Sequence, residues 1–131
     1  MLARRTLLAA LFASLPLAAY PHGPTRGPNG GQMQDIGSYH GELVAQDDHL
    51  AFFLYDASDR PLPAAGASAT AIVLSGGRQQ TVAFSPRPDG KALVATGTFK
   101  ADPSLRVVVQ LVPAAGQARI QARYAPIEAK R

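Results

Sequence analysis

An all-β fold is what this sequence predicts: an immunoglobulin-like antiparallel β-sandwich of about seven strands. Three observations carry that expectation. Short β-favouring runs recur every ten to fifteen residues from Tyr39 onward. Turn chemistry separates them, as Asp47-Asp48, Gly76-Gly77, Asp89-Gly90 and Asp102-Pro103. No eleven-residue window after the N-terminus holds a 3.6-residue apolar period free of Gly and Pro, despite the abundance of Ala.

The first segment sets a compartment rather than a fold. Arg4 and Arg5 precede the uncharged, mostly apolar run Thr6 to Leu15. Pro16 breaks that run, and Leu17-Ala18-Ala19 supplies small residues. This order predicts a cleaved signal peptide over 1–19 and a periplasmic destination. Ten residues of helix span about 15 Å, half of a bilayer core, and no later stretch is apolar enough to span. Residues 20–31, with Pro21, Gly23, Pro24, Gly27, Pro28, Gly30 and Gly31, read as a flexible tether. A single domain follows over 32–125, and 126–131 reads as a frayed tail.

Within the domain, Gln32 to Ile36 is a candidate edge strand, and Tyr39 to Ala45 is the first strong one. Asp47-Asp48 turns the chain into His49 to Asp56. A two-residue loop fixes the register, setting Leu43 opposite Phe52, Glu42 opposite Phe53 and His40 opposite Tyr55. Alternation then assigns Leu43, Ala45, Leu50, Phe52 and Leu54 to the core face. His40, Glu42, Val44, Ala51, Phe53 and Tyr55 fall on the other. A proline-bearing loop to Ala67 leads into Ser68 to Ser75, which Gly76-Gly77 pairs with Gln79 to Ser85. Ala92 to Phe99, Leu105 to Val112 and a last strand with Ile120, Ala122 and Tyr124 inward complete the set. Val107-Val108-Val109 suits a central strand buried on both faces.

Composition narrows function. The absence of cysteine removes disulfides, thiolate metal sites and cysteine nucleophiles together. The formal charge of +4 falls to about +2 once Arg4 and Arg5 leave with the signal peptide. Basic residues are scattered along the chain and Trp is absent, so no footprint of a nucleic-acid binder is evident. None of His22, His40 and His49 adjoins a strained Gly-x-Ser-x-Gly elbow, and no phosphate loop or dinucleotide fingerprint occurs. The sequence predicts no enzyme.

Metal chemistry is the sharper possibility. His40 and Glu42 stand two apart on one strand, so both emerge on the same face about 7 Å apart at Cα. An imidazole and a carboxylate at that spacing can converge on one ion. Met33 offers a thioether suited to Cu(I), and His49 lies on the same face near the turn. Such an N/O/thioether set suits copper, nickel or zinc. The plain alternative is a solvated or hydrogen-bonded pair on an exposed sheet face. Cleavage after Ala19 would place His22 third in the chain, yet Pro21 has no amide proton for an amino-terminal copper site. Phe53 and Tyr55, on the less apolar face, suggest either a partner surface or a second covered layer. That leaves a metal-free interaction module as the rival reading.

The residues Gly30-Gly31-Gln32, then Tyr39-His40 with Glu42-Leu43-Val44, then a hairpin ending in Asp56 and a Pro-bearing loop carry a resemblance. The stretch from Pro28 to Tyr124 resembles small periplasmic β-domains akin to the N-terminal module of heavy-metal efflux pump adaptor subunits. The resemblance implies transition-metal handling in the periplasm, beside an efflux component, with His40 and Glu42 as the matching residues. Members often have His directly before the Gly-Gly pair, where this chain has Asn29. The adaptor's helical hairpin, lipoyl and barrel parts have no counterpart here.

Overall fold

The computed structural model describes residues 25–129; the segment 1–19, expected as a signal peptide, and residues 20–24 lie outside the described residues. Among the described residues ten strands form, all pairing antiparallel. In chain order they are β1 (Thr25–Arg26), β2 (Gln32–Ile36), β3 (Tyr39–Ala45), β4 (His49–Tyr55), β5 (Ser68–Ser75), β6 (Arg78–Ala83), β7 (Ser85–Pro86), β8 (Leu93–Thr96), β9 (Arg106–Val112) and β10 (Ile120–Tyr124). One sheet runs β1-β2-β3-β4-β8-β7 and the other β10-β9-β5-β6. Counted from β3 and leaving out two-residue β7, strands one, two and five share a sheet with three, four, six and seven opposite. That is an immunoglobulin-like partition of a sandwich, and it bears out the predicted fold class.

Registers follow the turns. Leu43 faces Phe52, Glu42 faces Phe53 and His40 faces Tyr55, as the two-residue Asp47-Asp48 loop requires. Gly37, in the left-handed region at φ 60°, together with Ser38 closes β2 onto β3. Met33 therefore sits opposite Glu42, and Asp35 opposite His40.

The core lies between the sheets. Leu43, Leu50 and Phe52 from the first sheet meet Val73, Val107, Val109 and Leu111 from the second, all essentially without solvent contact. Phe52 is the hinge of this packing. Its ring meets Tyr124 edge-on at 6.2 Å and Phe84 at 6.3 Å, the tilted geometries aromatic quadrupoles favour. Phe84 stands where the chain leaves β6 in one sheet for β7 in the other. Along the β2/β10 side the sheets are tied by side chains. Gln34 Nε2 donates to the Arg123 carbonyl at 2.9 Å, Ala125 N to Gln32 Oε1 at 2.8 Å, and Tyr124 OH to the Gly41 carbonyl at 2.8 Å.

Two segments differ from expectation. Residues 25–31, expected as part of a tether, form β1 and a turn closed by Gly30 N to Gly27 O and Gly27 N to Gly31 O, both 3.0 Å. Glycine and proline here shape a tight turn instead of a loose chain, because the turn has a partner beneath it. In the expected tail, Ile127 packs against the core and Glu128 pairs with Arg26 at 3.5 Å. Among the described residues no helix is long and apolar enough to cross a membrane.

Candidate functional site

The outer face of β2, β3 and β4 carries Met33, Asp35, His40, Glu42, Phe53 and Tyr55, as strand alternation dictates. His40 and Glu42 emerge on a common side, but their surroundings are opposite.

Glu42 has no solvent contact. The turn over 27–31 lies on it as a lid, and its two oxygens accept from four donors. Asn29 N and Gly31 N each reach Oε2 at 2.8 Å; Asn29 Nδ2 and Tyr55 OH reach Oε1 at 3.0 and 2.9 Å. A carboxylate offers about four lone-pair directions, so this one is filled. Glu42 is therefore a strut that holds the N-terminal turn onto the sheet, and its assignment as a metal ligand is corrected. Gly27 lets the turn descend this far, because a Cβ there would collide with the Glu42 carboxyl carbon.

Asn29 supplies two of the donors, so at that position the chain needs an amide as well as a backbone N–H. Tyr55 is buried at 5% exposure and belongs to this network, which corrects its assignment to a partner surface. Burial, then the hydrogen bond to Glu42, pushes the Tyr55 phenol up to about 12. An unfolded chain releases that proton near pH 10, whereas folded Tyr55 holds it two units further. The folded state then binds more protons, so stability falls as pH rises between about 10 and 12. Tyr55→Phe is expected to flatten part of that alkaline slope, read as the urea midpoint against pH.

His40 is half-exposed, between two carboxylates. Asp59 Oδ1 lies 2.6 Å from Nδ1, and Asp35 Oδ1 lies 3.3 Å from Nε2. Asp35 comes from the paired strand. Asp59 comes from the β4–β5 loop, as the one non-glycine described residue at positive φ, 65°. Asp56 builds that loop: its carboxylate accepts from Ser58 N at 2.8 Å, Arg60 N at 3.0 Å and Arg60 Nε at 3.1 Å. The Arg60 amide first, with the Ser58 amide and the Arg60 guanidinium adding to it, holds the Asp56 carboxyl below the usual carboxylate range.

His40, Asp35 and Asp59 line one open groove of ≈ 870 Å³, together with Met33, Thr25 and Arg123. His49 is not there. It lies at the other end of β4, six residue steps from Tyr55, and bonds its neighbour Asp48 at 2.7 Å. The expected sharing of a site by His49 and His40 is thus corrected. Among the described residues no group of three or more His, Asp or Glu side chains gathers around a common point.

Phe53 is half-buried, with the Arg87 guanidinium 5.4 Å from its ring centre. It borders a second, smaller groove of ≈ 500 Å³ with Leu62, Pro63 and Lys91. Arg87 also grips Asp89, whose carboxyl is held down at about 2 chiefly by that bond.

Asp35 and Asp59 were missed by sequence reasoning. The signal for Asp35 was present: taking Gly37-Ser38 as a two-residue turn sets Asp35 opposite His40. Asp59 left no comparable signal, since its position depends on how Asp56 folds the loop. Comparison with family models, with curated proteins and with solved structures gives no match, so the site is read from its own geometry.

Proposed function

We propose that this chain is an exported, non-enzymatic β-sandwich that takes up a transition-metal ion weakly at His40 and Asp35 and passes it on. The observation that carries this reading is the imidazole between two carboxylates. A neutral ring with Nδ1–H donated to Asp59 leaves Nε2 free as a ligand, with an Asp35 oxygen 3.3 Å away. A ring nitrogen and a carboxylate oxygen this close can share one metal ion. Two donors about 2.1 Å from one ion, at tetrahedral or octahedral angles, stand about 3.0–3.4 Å apart, and the observed separation fits. A carboxylate on the ring's remote nitrogen is the usual support of a ligating histidine.

Met33 in the same groove supplies a thioether for a copper ion, while imidazole and carboxylate suit Cu(II), Ni(II) or Zn(II). With two or three protein donors and an open groove, binding is weak and exchange is fast. Delivery to a periplasmic efflux component follows from the resemblance to adaptor modules. Calorimetric titration of Cu(II), Ni(II) and Zn(II) tests the reading. His40→Ala is expected to lower affinity at least tenfold, and Asp59→Asn by about ten- to a hundredfold. His49→Ala is expected to leave it unchanged. Equal isotherms for the parent chain and His40→Ala would remove the metal site.

A second reading is a metal-free module that docks a periplasmic partner at the Phe53 groove. It is favoured by the half-exposed ring beneath Arg87, an amphipathic pairing common at interface anchors. Partner capture that Phe53→Ala abolishes, with no metal uptake by the parent chain, would select it.

A further inference from the structure

Charges scattered in the sequence are sorted by the fold. The four strands β5, β6, β9 and β10 and their hairpin turns contain Arg78, Arg106, Arg119 and Arg123 and no carboxylate; every Asp and Glu lies elsewhere. Among the described residues, the arginines in ion pairs are Arg26, Arg60 and Arg87, none of them on this sheet.

Strand parity places the outward side chains. Inward are Ala71, Val73, Val107, Val109, Ala122 and Tyr124, all buried. Outward, Arg106 stands opposite Leu74, and Arg123 opposite Val108, which in turn faces Ile72. Gln121, Gln110 and Thr70 form the next row across. Arg119 precedes β10 with the parity of Gln121 and Arg123 and is exposed. Arg106 Nη1 is partly occupied by the Pro103 and Leu105 carbonyls, which hold its guanidinium at the sheet surface.

Beside Arg106, at one end of this sheet, Leu74 is the one large apolar side chain among the described residues that stands well exposed, at 47%. None of the outward positions on these strands is aromatic, so the stacking platforms that bases require and the anchors that protein interfaces favour are missing.

We propose that this face binds the surface of an anionic lipid bilayer. A cationic, carboxylate-free sheet matches a layer of phosphate headgroups by charge, and an exposed leucine beside Arg106 can enter the interfacial region, which a nucleic-acid backbone offers no place for. Arg123 also lines the groove of His40 and Asp35, whereas Arg106, Arg119 and Leu74 do not, so the loss of vesicle binding in Leu74→Glu is read apart from the metal site.

Co-sedimentation of residues 20–131, which hold both sheets and the core, with vesicles of phosphatidylglycerol and phosphatidylcholine in equal parts tests it. Binding is expected at low salt, weakening as salt is added, and absent from pure phosphatidylcholine. Replacing Arg106, Arg119 and Arg123 together by Gln is expected to lower vesicle affinity about a hundredfold, near fivefold per charge. Leu74→Glu, at an exposed site, is expected to lower it at least tenfold. Arg60→Gln, on the opposite sheet's side, is expected to leave it unchanged. Equal binding by the triple variant and Leu74→Glu, equal binding to neutral vesicles, or tighter binding to duplex DNA than to anionic vesicles would each overturn the proposal.

Discussion

Replacing Glu42 by Ala is expected to cost about 3–5 kcal/mol of folding stability. The carboxylate is fully buried and receives four hydrogen bonds. Deleting it strands the amides of Asn29 and Gly31 and the Tyr55 hydroxyl beneath a closed turn, each at about 1–3 kcal/mol when no water replaces the acceptor. Opening the turn to admit water recovers part of that loss but gives up β1 and its pairing with β2. Glu42→Gln keeps the shape and one oxygen while presenting an NH₂ group to donors, so an intermediate loss of about 1–3 kcal/mol is expected. Urea unfolding reads both values. A loss below about 1 kcal/mol for Glu42→Ala would mean that the turn is not anchored through this carboxylate.

Phe52→Ala carries the second large effect, about 3–5 kcal/mol. The ring fills the space between the sheets and touches both Phe84 and Tyr124. Its tip also lies where a side chain on Gly41 would go: a Cβ there would collide with the Phe52 ring and come within 2.9 Å of the Tyr124 hydroxyl. Gly41→Ala in the parent chain therefore forces the ring aside, at about 1–3 kcal/mol. With Phe52 already shortened, the same methyl enters vacated space. The double variant is expected to be more stable than the sum of the two losses implies, by about 1 kcal/mol or more, the signature of residues that share one volume. Strict additivity would contradict the packing described.

Legibility in the sequence followed the range of the physics. The β3–β4 register was readable because a two-residue turn and strict alternation decide it locally, and the core residues Leu43, Leu50 and Phe52 came with it. The pairing of Asp35 with His40 was also local, but Gln and Asp inside Gln32 to Ile36 favour strands weakly, and the segment read as an uncertain edge. Glu42 illustrates the limit. A lone Glu on an outward strand position is ordinarily solvated, and here its burial depends on a turn whose Gly and Pro content reads equally well as loose chain. Asp59 depends on a loop organised by Asp56, which no periodicity reports. The charge of the second sheet was hidden because Arg106 comes near Arg123 only through the pairing of β9 with β10.

We propose a division of labour on one face: His40 receives the ion, and Glu42 holds the structure. Nitrogen NMR of the imidazole rings during addition of Zn(II) tests this most directly. The expected result is a ligation shift at Nε2 of His40, loss of that shift in Asp35→Asn, and no ligation shift at either ring nitrogen of His49. A His40 ring that stays unligated at saturating metal, or a ligation shift that appears at His49 instead, would contradict it.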